Sequence, residues 1–416
     1  MPRCASVGAS CLHCERDAED SREKPGDPGR GATTVFLPYG GDRVETLTLD
    51  GSSCDVLVIG GGPAGASAAI TAARAGAQVL LLEKGSYPRH KVCGEFVSGE
   101  SVQLLSSLLA NALETRSLLS RVPRITGVRL FLDGRIVAVP VDPPAVSLAR
   151  FDTDAALWKA AISAGVDARS EISVHGIERR STFHIQTTAG AVSARAIINT
   201  TGRWSNLTDR SPNSAGPKWI GLKAHYSESS PPPTTDLYFF EGGYCGVQPV
   251  GLGDEPASSR VVVCSMVRAD VATRLEDLFS LEPRLNARSK GWTRLSEPVS
   301  TSPLIFRQPN PEKGGILFAG DAAGFVDPFV GDGISLALRS GSLAATSLLP
   351  FLRGTATLEE VAAQYRRDYE QGLLPVFQAS SLLRRMLALP FAVRLPVLRA
   401  METFPAVTRF MAKKTR

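Results

Sequence analysis

The sequence predicts an α/β fold in which a parallel-sheet module is interleaved with a strand-rich one and followed by a helical C-terminus. Three observations predict it. The first is local. Residues 54–59 (Cys54-Asp55-Val56-Leu57-Val58-Ile59) are an apolar run of strand length ending in glycines, residues 64–75 are rich in alanine and stop at Gly76, and residues 78–82 are a second apolar run. Strand, turn, helix and strand in that order form a βαβ unit, whose two strands pair in parallel. The second is a change of texture after Arg121. Residues 127–132 and 135–139 flank Asp133-Gly134, a hairpin signal, and residues 218–300 are strand-rich around a loop at Pro231-Pro232-Pro233. The third is a buried strand at residues 316–319 that leads into a long helix from Ile334 to about residue 349. Between these, residues 152–164 read as a helix stopped by Gly165, and residues 171–199 as three strands. The resulting division is discontinuous: 51–120, 146–205 and 301–349 for the first module, 121–145 and 206–300 for the second, and 350–416 for a helical segment broken by prolines.

The chain, at 416 residues, is long enough for two packed modules, and with 43% hydrophobic and 21% charged residues it belongs to the globular class. Its net charge of +5 is gathered at one end: residues 376–416 carry eight Lys or Arg against the single acid Glu402. The body is therefore close to neutral, which argues against a nucleic-acid partner. Residues 1–50 mix charge with Gly and Pro and are expected to be a disordered extension. They hold Cys4, Cys11, His13 and Cys14, half of a zinc ligand set with no second pair at a suitable spacing, so no metal is expected. They also lack the apolar run of an export signal, and the seven cysteines are odd in number, which points to a reducing cytoplasm. No apolar run reaches the roughly 18 residues a spanning helix needs. From Leu382 onward, apolar residues alternate with Arg and Lys, a pattern that suits either a peripheral contact with an anionic membrane or a cap packed over the second module.

The chemistry begins at Gly60-x-Gly62-x-x-Gly65, with Pro63 and Ala64 inside it, placed between the first strand and the first helix. There the first glycine permits a tight turn, the second lets backbone approach a pyrophosphate, and the third lets helix and strand pack closely. The helix N-terminus offers unpaired N–H groups and a positive dipole end to the phosphates. Glu83, beside Lys84 at the end of the second strand, stands where a carboxylate can accept ribose hydroxyls. A carboxylate disfavours a 2′-phosphate, leaving FAD or NAD. This is the context of a Rossmann-like dinucleotide domain.

A second region favours FAD. Gly320-Asp321 follows the strand at residues 316–319, and Pro328, Gly331, Gly333 and Ile334 open the long helix. Together these residues resemble the flavoprotein superfamily of aromatic hydroxylases and geranylgeranyl reductases, over roughly residues 54–345. The resemblance implies that Asp321 meets the ribityl chain, that Pro328, Gly331 and Gly333 lie beside the isoalloxazine, and that Arg150 reaches toward FAD. Lys91-Val92-Cys93-Gly94-Glu95 resembles the reductase branch, where a Cys-Gly pair faces the flavin, making Cys93 the candidate for a direct chemical role. The stretch 238–249 resembles that branch's aromatic-rich turn and puts Tyr238, Phe240, Tyr244 and Gln248 in the substrate pocket.

One departure bears on the reaction. Hydroxylases of the family carry Asp-Gly where this chain has Thr201-Gly202, and no second Gly-x-Gly-x-x-Gly follows a strand. NAD(P)H or a protein electron donor is therefore expected to bind only transiently. Reduction of a C=C bond in a lipid-like or polyketide-like substrate is preferred. Oxygenation through a C4a-hydroperoxide is the alternative, and a non-catalytic flavin-binding protein is the third reading. No constellation announces a general base; His90 and His225 are candidates by residue type only.

Overall fold

The computed structural model describes residues 48–110, 118–120, 122–203, 207, 216–251, 259–301, 303–325, 331–387 and 389–403. The cysteine-bearing extension, Pro328 and the last residues of the basic tail lie outside these. The described chain opens earlier than expected: Leu49 is buried, and Asp50 Oδ1 accepts the N–H of Ala191.

The βαβ unit forms as its sequence dictates. Strand β1 (Ser52–Ile59) is followed by helix α1 (Pro63–Arg74) and strand β2 (Val79–Leu82), paired in parallel to β1. Proline at the first helical position is preorganised for a helix start. A short strand β3 (Phe96–Val97) and helix α2 (Gly99–Leu109) come next, then the hairpin of β4 (Arg124–Leu132) and β5 (Arg135–Ser147). Asp133 and Gly134 both take positive φ, at 53° and 75°, the conformation a two-residue hairpin turn of this hand requires. Helix α3 (Arg150–Ser163) returns the chain to the first sheet as β6 (Asp167–Arg169), β7 (Val174–Arg179), β8 (Phe183–Thr187) and β9 (Gly190–Asn199). The second sheet resumes with β10 (Trp219–Ser227), β11 (Thr234–Phe240), β12 (Gly243–Pro249) and β13 (Arg260–Arg268).

Within the expected strand-rich stretch lies a helical insertion: a 3-10 turn at Glu276–Leu281 and helix α4 (Pro283–Ser289), which Glu282 caps by accepting the Leu285 N–H at 2.7 Å. Strands β14 (Thr293–Arg294) and β15 (Val299–Thr301) close that sheet on β10, and β16 (Glu312–Lys313) and β17 (Ile316–Phe318) close the first. Helices α5 (Gly333–Leu352), α6 (Leu358–Gly372), α7 (Leu374–Leu387) and α8 (Phe391–Thr403) complete the described residues.

Two sheets result, one ordered β16-β17-β9-β1-β2-β6 with β8 attached to β9 and β7 to β8, the other β14-β10-β13-β12-β11-β4-β5-β3 with β15 on β10. The core of the first sheet is parallel; in the second only β11 and β4 pair in parallel. The strands of the two sheets alternate along the chain, the interleaving that the sequence implies. What positions the site is the contact of α1 with α5. Gly341 lies so close that a Cβ there would sit 2.1 Å from the Ala64 carbonyl oxygen, and Ser67 Oγ donates to Leu338 O at 2.7 Å. The N-terminal ends of both helices are thereby fixed beside the same cavity.

Candidate active site

The cavity encloses about 840 Å³, within the range of cofactor and ligand sites, and lies between the first sheet's turns and the second sheet's face. Gly62, Pro63 and Ala64 form one wall, Glu83 and Lys84 another, and Gly320, Asp321, Gly331, Gly333 and Ile334 a third. The glycine turn behaves as its spacing requires. Gly60 holds φ +104° with Thr200 O at its back, while a Cβ on Gly65 would lie 1.7 Å from Gly60 O. Gly62 is different: a Cβ there meets nothing within 4 Å. It leaves space on the cavity side where a pyrophosphate can come close, and α1 starts there with no side-chain cap on its N–H groups. These features fit FAD.

Glu83 is more occupied than its sequence position suggests. It accepts the N–H groups of Gly61 at 2.8 Å and Gly85 at 2.9 Å and pairs with Arg89 at 2.9 Å. Burial pushes its carboxyl up, but Arg89 and the two N–H donors outweigh burial and hold it below the usual carboxylate range. Its carboxylate thus braces the glycine turn and still borders the cavity. Asp321 lies 3.5 Å from Arg203, whose guanidinium stacks at 4.3 Å on Phe325. Its carboxyl is raised by the surrounding protein, against the pull of Arg203, Arg150 and Arg307. At the start of α5, Asp332 is 2% exposed and neither carboxyl oxygen has hydrogen-bond geometry, even toward the nearby Ser98 and Ser335. Burial raises it to about 6.

Arg150 borders the cavity from the first position of α3. It is no surface charge: Asp154, fully buried, takes it in a two-pronged pair at 2.6 Å, and its guanidinium reaches Cys93. Burial opposes its charge, yet Asp154 and Cys93 raise it above the ordinary arginine value. Cys93 itself lies in the cavity wall, its sulfur accepting the Glu95 N–H at 3.3 Å.

The candidate substrate residues divide by strand parity. Tyr244 and Gln248 line the cavity; Gln248 is held by Thr235 and Ser147 hydroxyls, each at 2.7 Å. Tyr238 and Phe240 do not. On β11 it is Thr235 and Leu237 that face the cavity, so the alternate residues turn to the opposite face. There Tyr238 stacks on Phe131 at 4.3 Å, with Arg288 donating to its hydroxyl at 3.1 Å, and Phe240 packs in the same cluster.

Sequence reasoning missed a buried charged cluster. Lys223 and His225 stand two apart on β10, on one face, and both reach Glu95: Lys223 Nζ at 2.5 Å from Oε1 and His225 Nε2 at 2.8 Å from Oε2. Glu95 also accepts the Arg150 N–H at 2.8 Å. None of the three side chains is more than 1% exposed. Burial opposes the Glu95 charge, but Lys223 and His225 hold its carboxyl below the ordinary range. The legible signal was Lys223-x-His225 inside an apolar strand, since a buried cation requires a buried partner. Among the described residues no group of His, Cys, Asp and Glu is arranged to hold a metal ion, and no helix is long and apolar enough to cross a membrane.

Comparison with known proteins finds FAD-dependent relatives. A family model described as FAD dependent oxidoreductase matches residues 55–112. A menaquinone reductase of Mycobacterium tuberculosis is 28% identical over 71% of this chain and 76% of its own length. A geranylgeranyl diphosphate reductase of Rhodobacter capsulatus is 27% identical over 76% and 80%. Among solved structures, a flavin-dependent brominase superposes with TM-score 0.69 at 20% identity, covering 87% of this chain and 99% of its own, which establishes the shared fold. The chain is thus an FAD-dependent oxidoreductase, similar to the menaquinone and geranylgeranyl reductases among these relatives.

Proposed function

We propose that this protein reduces a C=C bond in a hydrophobic, lipid-like or polyketide-like molecule. The observation that carries this reading is the cavity's second half: Val128, Leu130, Val139, Leu237 and Leu304 make an apolar wall continuous with the cleft beside Gly62 and Asp321. Such a wall takes an extended apolar chain by burial, and it excludes water from a reacting alkene. Reduced FAD supplies the hydride when bound. The chain's own work is to hold the cofactor through residues 60–65, Glu83, Arg150 and Asp321, and to place the alkene against Cys93, Tyr244 and Gln248. NAD(P)H or a protein donor delivers electrons in a transient encounter. Two of the relatives are named as reductases, which supports the same reading. Turnover under argon tests it: the reduced product is expected to gain two hydrogens without oxygen. A product that gains an oxygen atom, formed only in air, selects the oxygenating alternative. A yellow protein inert in both conditions selects the non-catalytic one.

The C-terminal segment suits delivery of such a substrate from an anionic membrane. Leu383 of α7 lines the cavity, while its neighbour Leu382, with Phe391 and Val393 of α8, is more than half exposed. Arg385 is exposed beside them, and residues 374–400 contain no acid. Arg394 ties α8 to Asp133 at the hairpin tip, next to the exposed Ile136. Co-sedimentation with phosphatidylglycerol vesicles, weak on phosphatidylcholine and lost in Phe391→Ser/Val393→Ser, is the expected result; equal recovery on both lipids speaks against it.

A further inference from the structure

The buried cluster behind the Cys93-Gly94-Glu95 loop is larger than structural need explains. Glu95 takes a left-handed φ of 60°, uncommon for a residue with a side chain, and this turns its carboxylate inward to Lys223 and His225. Burying three ionisable groups carries a desolvation penalty that an apolar trio would avoid. The cluster also has an opening. His225 spends Nε2 on Glu95, whereas its Nδ1 is buried without a hydrogen-bond partner. The next ring is His90, 5.7 Å away centroid to centroid and part of the cavity wall. His90 packs at 4.8 Å on Phe151, the residue after Arg150.

We propose that His90 exchanges a proton with the bound substrate, and that Glu95, Lys223 and His225 behind it are positioning residues that govern its charge. The inference rests on the reductase reading, in which the saturated product needs a proton as well as a hydride. The hydride forms a C–H bond at one alkene carbon, and the π electron pair moves to the other carbon. That carbon takes the ring N–H proton of protonated His90. His90 is left neutral and recovers a proton from cavity water or across the open Nδ1 of His225. Its setting suits an acid. Burial, Lys223 and His225 of β10 pull His90 below the ordinary histidine range, and Glu95 pulls the other way. Its chain neighbours Arg89 and Lys91, and Arg150 on α3, also border the cavity, with Glu83 paired to Arg89 and Asp154 to Arg150. A histidine held below its ordinary range keeps and can donate its proton at mildly acid pH, so donation falls off as pH rises toward neutral.

Two measurements decide it. The first is reoxidation of dithionite-reduced enzyme by geranylgeranyl diphosphate or a menaquinone under argon, followed in a single turnover. His90→Gln is expected to slow it by on the order of 100-fold with flavin content unchanged. It should also erase the alkaline limb of the pH profile. Glu95→Gln should move that limb to lower pH, because it removes the anion that favours protonated His90. The second needs no substrate and works on apo and FAD-loaded protein alike: histidine NMR, with the His90 resonance assigned by its loss in His90→Gln. The His90 midpoint should fall in Glu95→Gln. If that variant does not fold, His225→Gln, which keeps a donor to Glu95, should still slow the turnover while the flavin band is retained. Wild-type rates and an unshifted limb in His90→Gln overturn the proposal, as does a His90 midpoint indifferent to Glu95. If the wild type itself reduces neither probe, the reductase reading is what fails, and His90 as donor to an alkene falls with it.

Discussion

Gly65→Ala is expected to yield protein that is both less stable and almost free of flavin, whereas Gly62→Ala should lose flavin with its stability intact. The two glycines lie three residues apart in one turn, but their surroundings differ. A Cβ on Gly65 would overlap Gly60 O at 1.7 Å and approach Thr200 Oγ1 at 2.6 Å, and both neighbours are fixed. Gly60 N donates to Leu82 O at 2.7 Å, and Thr200 Oγ1 donates to the carbonyls of Ile59 and Gly60. The turn must therefore open, at the roughly 1–3 kcal/mol or more typical of overpacking. Gly62 has space on the cavity side, so its methyl group harms only what enters the cavity. A loss of about 1.4 kcal/mol in cofactor binding already weakens it tenfold. Flavin absorbance per protein, set beside urea melts of the apoprotein, separates the cases. Full flavin content in Gly62→Ala would contradict the placement of a pyrophosphate at this turn.

How much of this site was legible depended on how far apart its parts lie in the chain. Residues 60–65 and Glu83 belong to one βαβ unit, so their spacing brings them to one turn, whereas Asp321, directly after a buried strand, takes its expected role from the family resemblance. Strand parity was not legible on β11. A strand buried on both faces carries no alternation to read, and Tyr238 looks like a pocket residue until Arg288, far along the chain in α4, is seen to donate to its hydroxyl. The helical insertion around α4 was hidden by the strand-rich sequence on either side. β3, at two residues, is too short for any periodicity. The Glu95 cluster joins residues 128 and 130 positions apart, a pairing no local pattern contains. Only Lys223, with His225 two residues on in apolar β10, hinted that a buried acid had to exist.

That acid sets the largest expected loss of stability. Lys223→Met should cost about 3–5 kcal/mol near pH 7, the usual result of stripping one partner from a buried pair. The pH dependence identifies the cause. In the wild type the folded Glu95 carboxyl lies below its unfolded value, despite burial, because of Lys223 and His225. The unfolded state then binds more protons in acid, so this stability is fully present above the unfolded value near 4.5 and is lost as pH falls through the folded one. Without Lys223, burial faces less opposition and the folded value moves up. A raised folded value reverses the slope: the variant loses stability as pH rises through it and recovers some as pH falls. Urea melts should therefore show the gap between wild type and Lys223→Met narrowing from pH 7 toward pH 5. The double variant Lys223→Met/Glu95→Gln should be more stable at pH 7 than Lys223→Met alone, since a buried pair made neutral on both sides leaves no orphaned charge. A double variant weaker than either single one would mean that Lys223 stabilises the fold by packing its stem on β10, with Glu95 stabilised instead by His225 and the Arg150 N–H.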